Sequence, residues 1–162
     1  MAAFWKDHHH EIGMIVDRAD QLGRVLQHKS MNFVLCHADI HTANLLIDDQ
    51  GKLFIVDWDQ PVLAPRECDL LFVTVGGFVT EEKAETLFFR GYGKTEVDPL
   101  TMVYYRYARV VEDLGGFAEP VFFMDTTDEI KEDSVKWFMI QFAPGGLVEA
   151  AHKLDHVLSK LD

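Results

Sequence analysis

The feature that most constrains the fold of this chain is a pair of apolar runs between residues 37 and 59. The runs 45–47 and 53–56 are separated by residues 48–52, which include two aspartates and a glycine. Asp and Gly suit a tight turn with positive backbone φ, so the two runs predict a β-hairpin. A hairpin brings the loop before its first strand close to the loop after its second strand.

Both loops carry side chains with oxygen atoms. Asp39 and Asn44 precede the first strand, and Asp57 follows the second. Phosphoryl transfer needs oxygen ligands for Mg²⁺ and a carboxylate that orients the attacking hydroxyl and accepts its proton. The spacing His-x-Asp-x-x-x-x-Asn, which begins at His37, is that of the protein-kinase catalytic loop, and Asp57 takes the place of the kinase metal-binding Asp. The two loops together therefore predict a phosphoryl-transfer site.

With these residues the chain resembles the C-terminal lobe of the aminoglycoside phosphotransferase and choline kinase-like family. The residues that carry the resemblance are His37, Asp39, His41, Asn44, Leu45, Asp57, Trp58, Asp59, Pro65, Asp69 and Leu70. Three segments are most similar to the spectinomycin-type antibiotic kinases of that family, namely residues 55–59, 63–65 and 104–107. The resemblance covers directly about residues 33–73 and, more loosely, the helices that follow.

The resemblance implies an enzyme that transfers the γ-phosphate of ATP to a hydroxyl of a small molecule, such as an aminoglycoside, spectinomycin or a related compound. It implies that Asp39 is the catalytic base toward that hydroxyl. It also implies that Asn44 and Asp57 hold the Mg²⁺ ions that bridge the ATP phosphates. ATP is then the cosubstrate and Mg²⁺ the cofactor.

Three further residues receive supporting roles from the same resemblance. His37 would hold the catalytic loop through packing and hydrogen bonds, and Asp69 would brace it by accepting hydrogen bonds. Asp59 would hold its own loop or contact the metal through water. The family commonly has Gly where this chain has Ala38, a change that we expect the loop to accept.

Helical patterns fill most of the remaining chain. Apolar residues recur at helical spacing over residues 11–28, and residues 33–36 predict a short buried strand before the catalytic loop. Pro61 and Pro65 indicate an extended passage. The further predicted helical segments are a buried one from Leu70 to Gly76-Gly77, residues 80–92 with Thr80 as cap, residues 98–114, residues 126–142 with a capping box, and one after Gly145-Gly146.

These elements predict an α+β fold that is predominantly α-helical, a protein-kinase-like C-terminal lobe with a small β-hairpin carrying the catalytic and metal loops. We expect a single domain over residues 1–162, with those loops in 33–59 and a helical subdomain in 68–162. Only 32 residues precede Phe33, whereas the N-terminal β lobe that holds ATP in kinases needs about 50. The expectation is a lobe without that N-terminal partner, nearly inactive alone.

The charge balance limits the partners of the chain. It has 15 basic and 27 acidic residues and a net charge of −12, which repels nucleic acid and anionic membranes and favours a cationic small-molecule substrate. No apolar run approaches the ~20 residues that a membrane span needs. Cys36 and Cys68 form no zinc or disulfide pattern, so we expect a cytoplasmic protein. We expect Cys36 to be a buried strand residue and not a nucleophile, because no nearby cation other than a histidine would lower its pKa. An apolar face left open by the missing lobe predicts a homodimer.

Two other functions fit parts of the sequence. His37, Asp39 and His41 alternate along an extended segment and could share one transition metal in a hydrolase. Such hydrolases need further His and Asp clusters, and beyond His41 the histidines are only His152 and His156. The helical region could instead be a binding module without chemistry, with a cationic ligand held among Glu112, Asp113, Asp128, Glu129, Glu132 and Asp133.

Overall fold

The computed structural model of the protein describes residues 2–73 and 82–160. The helices are α1 (Ala2–Leu26), α2 (Glu67–Leu70), α3 (Glu82–Tyr92), α4 (Pro99–Phe122), α5 (Asp128–Ile140) and α6 (Leu147–Leu158), and the strands are β1 (Phe33–Cys36), β2 (Leu45–Ile47), β3 (Leu53–Ile55) and β4 (Val62–Pro65). A 3-10 turn over Thr42–Asn44 leads into β2. The predicted α+β class is confirmed, since the described residues are mostly helical with small antiparallel sheets. None of the helices in these ranges is long and apolar enough to cross a membrane.

The chain divides into two compact units. The first comprises Met1–His28 and Val103–Asp162, and the second comprises Lys29–Met102. The boundary between them falls inside α4. All six residues that the resemblance assigns to the site lie in the second unit, so the candidate site is built within one unit. The single domain and its subdomain bounds remain predictions.

One sheet of the second unit is the predicted hairpin. β2 pairs antiparallel with β3 from Leu45↔Ile55 onward, which confirms the prediction. The carboxylate of Asp48 closes the turn by accepting hydrogen bonds from two backbone N–H groups at 2.9 and 2.8 Å. Gly51 takes φ +79, the left-handed conformation that glycine adopts without strain.

The other sheet pairs β1 antiparallel with β4 from Phe33↔Pro65 onward. The sequence predicts β1 but not β4, because Pro61 and Pro65 indicate extended backbone without indicating a strand partner. The prediction that β1 is buried is wrong for most of its length. Cys36 is fully buried, whereas Leu35 is 64% exposed. An apolar sequence shows that a strand can be buried, but it does not identify the element that would pack on it.

The short helix α2 follows β4 directly. It begins at Glu67 and ends at Leu70, so the predicted helical segment that starts at Leu70 has the wrong bounds. Residues 71–73 form a turn instead. The predicted burial is confirmed, because Leu70, Leu71 and Phe72 are all buried. This apolar segment anchors α2, which carries Asp69.

Helix ends follow their sequence signals in several places. α3 ends at Tyr92 as predicted. Thr127 caps α5, its hydroxyl accepting a hydrogen bond from the backbone N–H of Ile130 at 3.4 Å. The predicted capping box begins one residue earlier, at Thr126, so its bounds are wrong. Gly146 is the N-cap of α6. α5 ends at residue 140, two residues before the predicted end. The predicted helix end at Gly76-Gly77 and the predicted cap at Thr80 lie outside the described residues.

In the first unit, aromatic side chains extend α1 beyond its predicted start near residue 11. The helix begins at Ala2. Phe4 stacks on His8 with ring centroids 3.9 Å apart and meets Phe138 and Phe142 edge to face at 6.2 and 5.4 Å. Because aromatic rings carry these contacts, the aliphatic 3.6-residue pattern understates the length of the helix. The predicted apolar face farther along is confirmed in part. Ile12, Ile15, Leu22 and Leu26 are buried, whereas Val16, which has the same helical spacing, is exposed.

α4 continues past its predicted end near residue 114 and reaches Phe122. Gly115 and Gly116, which have low helix propensity, lie inside the helix. Ring contacts hold this last part, since Phe117 stacks with Trp137 at 6.5 Å and Phe122 meets Trp5 at 6.0 Å. The packing of large rings therefore outweighs the low helix propensity of two glycines, which cost about 1 kcal/mol each.

Candidate active site

The loop that follows β1 is held in place from α2. The carboxylate of Asp69 accepts hydrogen bonds from the backbone N–H of His37 at 3.1 Å and from that of Ala38 at 2.7 Å. One carboxylate thus holds two successive peptide groups at the point where the strand becomes a loop. Ala38 has φ +69, a left-handed conformation that favours glycine. The two hydrogen bonds fix the backbone in that conformation.

His37 links the catalytic loop to the loop after β3. Its Nε2 donates to the carbonyl oxygen of Val56 at 2.8 Å, and its Nδ1 accepts from the backbone N–H of Asp39 at 3.3 Å. A backbone N–H can only donate, so the ring proton lies on Nε2. The ring is buried and meets Trp58 edge to face at 4.7 Å, while Trp58 donates its indole N–H to the carbonyl of Ile55 at 3.0 Å.

Asp39 and Asn44 are in direct contact. Nδ2 of Asn44 donates to the backbone carbonyl of Asp39 at 2.9 Å and lies 3.4 Å from its carboxylate Oδ2. The backbone between them is compact, since the N–H of Asn44 donates to the carbonyl of His41 at 3.0 Å. These contacts fix the amide of the largely buried Asn44 with its nitrogen toward Asp39. Its Oδ1 is therefore the oxygen that can serve a cation.

Asp57 directly follows the hairpin. The backbone N–H of Val56 donates to the carbonyl of Asn44 at 3.0 Å, which extends the strand pairing by one residue on each side. Asp57 comes next, with φ +67 and an exposed side chain. Asp is among the residues that tolerate the left-handed conformation. The structure thus brings the Asp39–Asn44 loop and the Asp57 loop together, while Asp59 is exposed two residues farther along.

Cys36 lies beside this loop but is not placed for chemistry. Its side chain is fully buried, and its Sγ lies 3.6 Å from the carbonyl oxygens of Ala64 and Pro65. Burial, with a smaller contribution from the Asp69 carboxylate, raises the pKa of the thiol to about 11. A thiol that stays protonated at neutral pH is a poor nucleophile. The prediction that Cys36 is buried is confirmed, and its lack of nucleophilic reactivity stays a prediction.

The structure does not arrange the alternating residues His37, Asp39 and His41 as ligands of one metal ion. Both ring nitrogens of His37 are engaged by backbone groups, so neither has a lone pair free for a metal. Within residues 2–73 and 82–160, no group of three His, Cys, Asp or Glu side chains is placed to hold a metal ion. The geometry gives the metal-hydrolase hypothesis no support.

Trp58 makes contacts in this site that the sequence does not predict. Trp58 belongs to the motif that carries the resemblance, yet the sequence assigns it no role. In the structure its ring packs on His37 and its N–H holds the end of β3. A large aromatic residue between two aspartates in a polar loop is the signal that could have indicated such a packing role.

Comparison with known proteins identifies the family. The model of the APH phosphotransferase enzyme family matches residues 5–105. The chain belongs to this phosphotransferase family. That result confirms the family predicted from the His37, Asp39, Asn44 and Asp57 pattern, and the match contains every residue of that pattern. The same match supports the prediction of a kinase-type phosphotransferase.

Two solved structures resemble this family member over nearly its whole length. One is spectinomycin phosphotransferase APH(9)-Ia in complex with ADP and spectinomycin, with TM-score 0.82 and 31% identity over 94% of this chain. The other is the AMP-bound complex of the same enzyme, with TM-score 0.79 and 32% identity over 93% of this chain. The chain covers 47% and 46% of those two chains, about half their length. No curated protein matches the chain.

Proposed function

We propose that this chain supplies the catalytic base and the metal ligands of an ATP-dependent small-molecule kinase. The reaction transfers the γ-phosphate of ATP to a hydroxyl of an antibiotic, such as spectinomycin or an aminoglycoside, or of a related small molecule. The proposal rests on one observation, namely that the loop of Asp39 and Asn44 and the loop of Asp57 lie side by side. His37 joins them through the carbonyl of Val56, and Asn44 lies against Asp39 in the first of them.

Asp39 is the proposed base. Its side chain is 36% exposed, while its Oδ1 is buried, so an acceptor hydroxyl would approach the carboxylate at Oδ2. The backbone around it is fixed by His37 and Asn44, which limits the directions in which the carboxylate can point. Because phosphoryl transfer depends mainly on positioning, a carboxylate held in this way can orient the hydroxyl and accept its proton.

Asn44 and Asp57 are the proposed ligands of Mg²⁺. An amide oxygen and a carboxylate are donors that this hard cation prefers, so the residues present fit the ion. When bound, Mg²⁺ would neutralise charge on the ATP phosphates. The left-handed backbone at Asp57 and the amide orientation at Asn44 are the contributions of this chain. The phosphates themselves would complete the coordination.

The substrate is proposed to be cationic, and the setting cytoplasmic. A net charge of −12 concentrates small cations near the protein, and ATP is available in the cytoplasm. The chain covers about half the length of the spectinomycin phosphotransferase chains. We therefore propose that ATP binding requires polypeptide corresponding to the part of those chains that this chain does not cover. We expect residues 1–162 alone to be nearly inactive.

The test is a chimera in which this chain replaces the matching half of spectinomycin phosphotransferase. We expect transfer of labelled γ-phosphate to spectinomycin or to an aminoglycoside. Asp39→Asn should reduce the rate about 1,000-fold, the range of a lost general base. Asp49→Asn, at an exposed position of the hairpin turn, is the matched control and should leave the rate unchanged.

Two results would contradict the proposal. The first is a chimera that binds ATP and an acceptor in calorimetry but transfers no phosphate. The second is an Asp39→Asn chimera that is as active as the parent. Steady phosphorylation by residues 1–162 alone would overturn only the expected dependence on further polypeptide.

A further inference from the structure

We propose that His41 is a positioning residue that holds the carboxylate of Asp39 with one ring nitrogen and the turn leading to Asn44 with the other. The proposal rests on the proposed function in that Asp39 is taken as the base. Its basis is a set of contacts around a single imidazole ring.

The Nδ1 side of the ring caps the 3-10 turn. His41 stands at the N-cap with extended backbone, φ −126 and ψ 172, and its Nδ1 lies 3.2 Å from the backbone N–H of Ala43. Because that N–H can only donate, Nδ1 accepts and carries no proton. The ring proton is therefore on Nε2, which becomes a donor.

The Nε2 side of the ring faces the proposed base. Nε2 of His41 lies 3.4 Å from Oδ2 of Asp39, and a carboxylate oxygen can only accept. Nδ2 of Asn44 lies 3.4 Å from the same oxygen. Two donors thus flank one carboxylate oxygen. Both separations exceed the usual 2.7–3.2 Å, as catalytic contacts often do before the substrate complex forms.

A buried side chain sets the direction of the ring. Phe72 is 2% exposed and meets the ring of His41 edge to face at 5.8 Å. A fixed ring is what a positioning role requires. The residues most favoured at N-caps, such as Ser, Asp and Asn, have shorter side chains. They could cap the turn but could not also reach the carboxylate, so His41 does more than a cap needs.

Two substitutions test the roles of the two ring nitrogens separately. His41→Asn places an amide oxygen where Nδ1 was and removes the Nε2 donor. His41→Gln places an amide nitrogen where Nε2 was and removes the cap. We expect His41→Asn to keep the melting temperature within about 1 °C and His41→Gln to lower it by about 3 °C, as loss of a cap does.

The deciding measurement is the side-chain rotamer of Asp39, read from NMR couplings to its β-protons in residues 1–162. We expect one rotamer in the parent and in His41→Gln, and averaged rotamers in His41→Asn. His28→Asn, at an exposed histidine, is the control and should leave one rotamer. A single, unchanged rotamer in His41→Asn would overturn the proposal, as would averaging in the parent. None of these readouts measures phosphate transfer, so failure of the proposed function is detected separately by the chimera.

Discussion

At the scale of single residues, the site is marked by two left-handed conformations outside glycine. Ala38 has φ +69 and Asp57 has φ +67, one in each loop. Such conformations cost of order 1–2 kcal/mol and persist only where the surroundings impose them. Around Ala38 the imposing group is the carboxylate of Asp69. Asp57 directly follows the strand pairing that ends at Val56.

Ala38→Gly tests this strain directly. Gly adopts positive φ without a Cβ clash, so we expect the free energy of unfolding in urea to rise by about 1 kcal/mol. The matched control is Ala43→Gly in the 3-10 turn, where φ is not positive. There the added chain entropy should lower stability by about 0.5–1 kcal/mol. Equal losses in both variants would show that the backbone at Ala38 is not strained.

At the scale of elements, the site depends on a four-residue helix. α2 is too short to be stable by itself, and the buried Leu70 and Leu71 hold it in the core of its unit. Its contribution is to present Asp69 to the backbone of the catalytic loop. Loop and helix therefore support each other.

Asp69→Asn should break that support. An amide keeps one acceptor oxygen but turns an NH₂ group toward a backbone N–H, which leaves one donor without an acceptor. Two hydrogen bonds to a carboxylate are lost or weakened, and we expect a loss of about 2 kcal/mol in the free energy of unfolding. Asp49→Asn, in the exposed turn, should cost less than about 0.5 kcal/mol. Comparable losses for the two variants would contradict the bracing role.

A second junction between elements lies in the first unit. Arg18 of α1 donates to both carboxylate oxygens of Asp155 on α6, at 2.8 and 2.6 Å, and the hydroxyl of Tyr107 on α4 donates to the same carboxylate at 3.2 Å. The hydrogen bond from Arg18 is the main cause that lowers the pKa of Asp155 below 3.8. The charged carboxylate is thus favoured in the folded state.

A lowered pKa fixes the sign of the pH dependence. The stabilisation from Asp155 is present above its ordinary pKa of 3.8 and is lost as the pH falls through the lowered folded value. Asp155→Asn should therefore lower the free energy of unfolding by about 1 kcal/mol at pH 7, and by less at pH 3. Urea titrations at pH 7, 5 and 3 check this. Asp20→Asn, in an exposed pair with Arg24, should have little effect at any pH. A loss that does not change with pH would contradict this account.

The elements also show how far sequence alone reaches. The hairpin was predictable because Asp48 and Gly51 determine its turn locally. β4 and the exposure of β1 were not, since strand pairing and coverage depend on residues far apart along the chain. The same holds for the contact of Asp69 with Ala38, which the residues alone do not indicate and only the family resemblance supplied. Neighbouring residues determine turns and helix caps, whereas contacts between residues far apart along the chain determine helix lengths and which strand faces are buried.

At the scale of the whole molecule, two properties oppose each other. The net charge of −12 disfavours contact between copies of the chain. The strands, however, expose many large apolar side chains, and exposed apolar patches favour association. These side chains are Phe33, Val34, Leu35, Leu46, Ile47, Leu53, Phe54, Ile55, Val62 and Leu63. Salt screens the repulsion and leaves the apolar contact intact.

We therefore expect the isolated chain to form a homodimer through these strands, more strongly at 0.5 M than at 0.05 M salt. Leu35 and Leu63 are 64% and 72% exposed and are cross-strand partners in the β1–β4 sheet. Leu35→Lys with Leu63→Glu removes both apolar side chains while placing opposite charges across the pair, which preserves the sheet.

Sedimentation velocity should show a concentration-dependent dimer for the parent and a monomer for the double variant. A charge-neutral control is Leu87→Gln on the exposed side of α3, which should dimerise as the parent does. Dimerisation of the double variant with unchanged affinity would exclude the β1–β4 sheet as the interface, because that sheet would then have lost its most exposed cross-strand pair without effect.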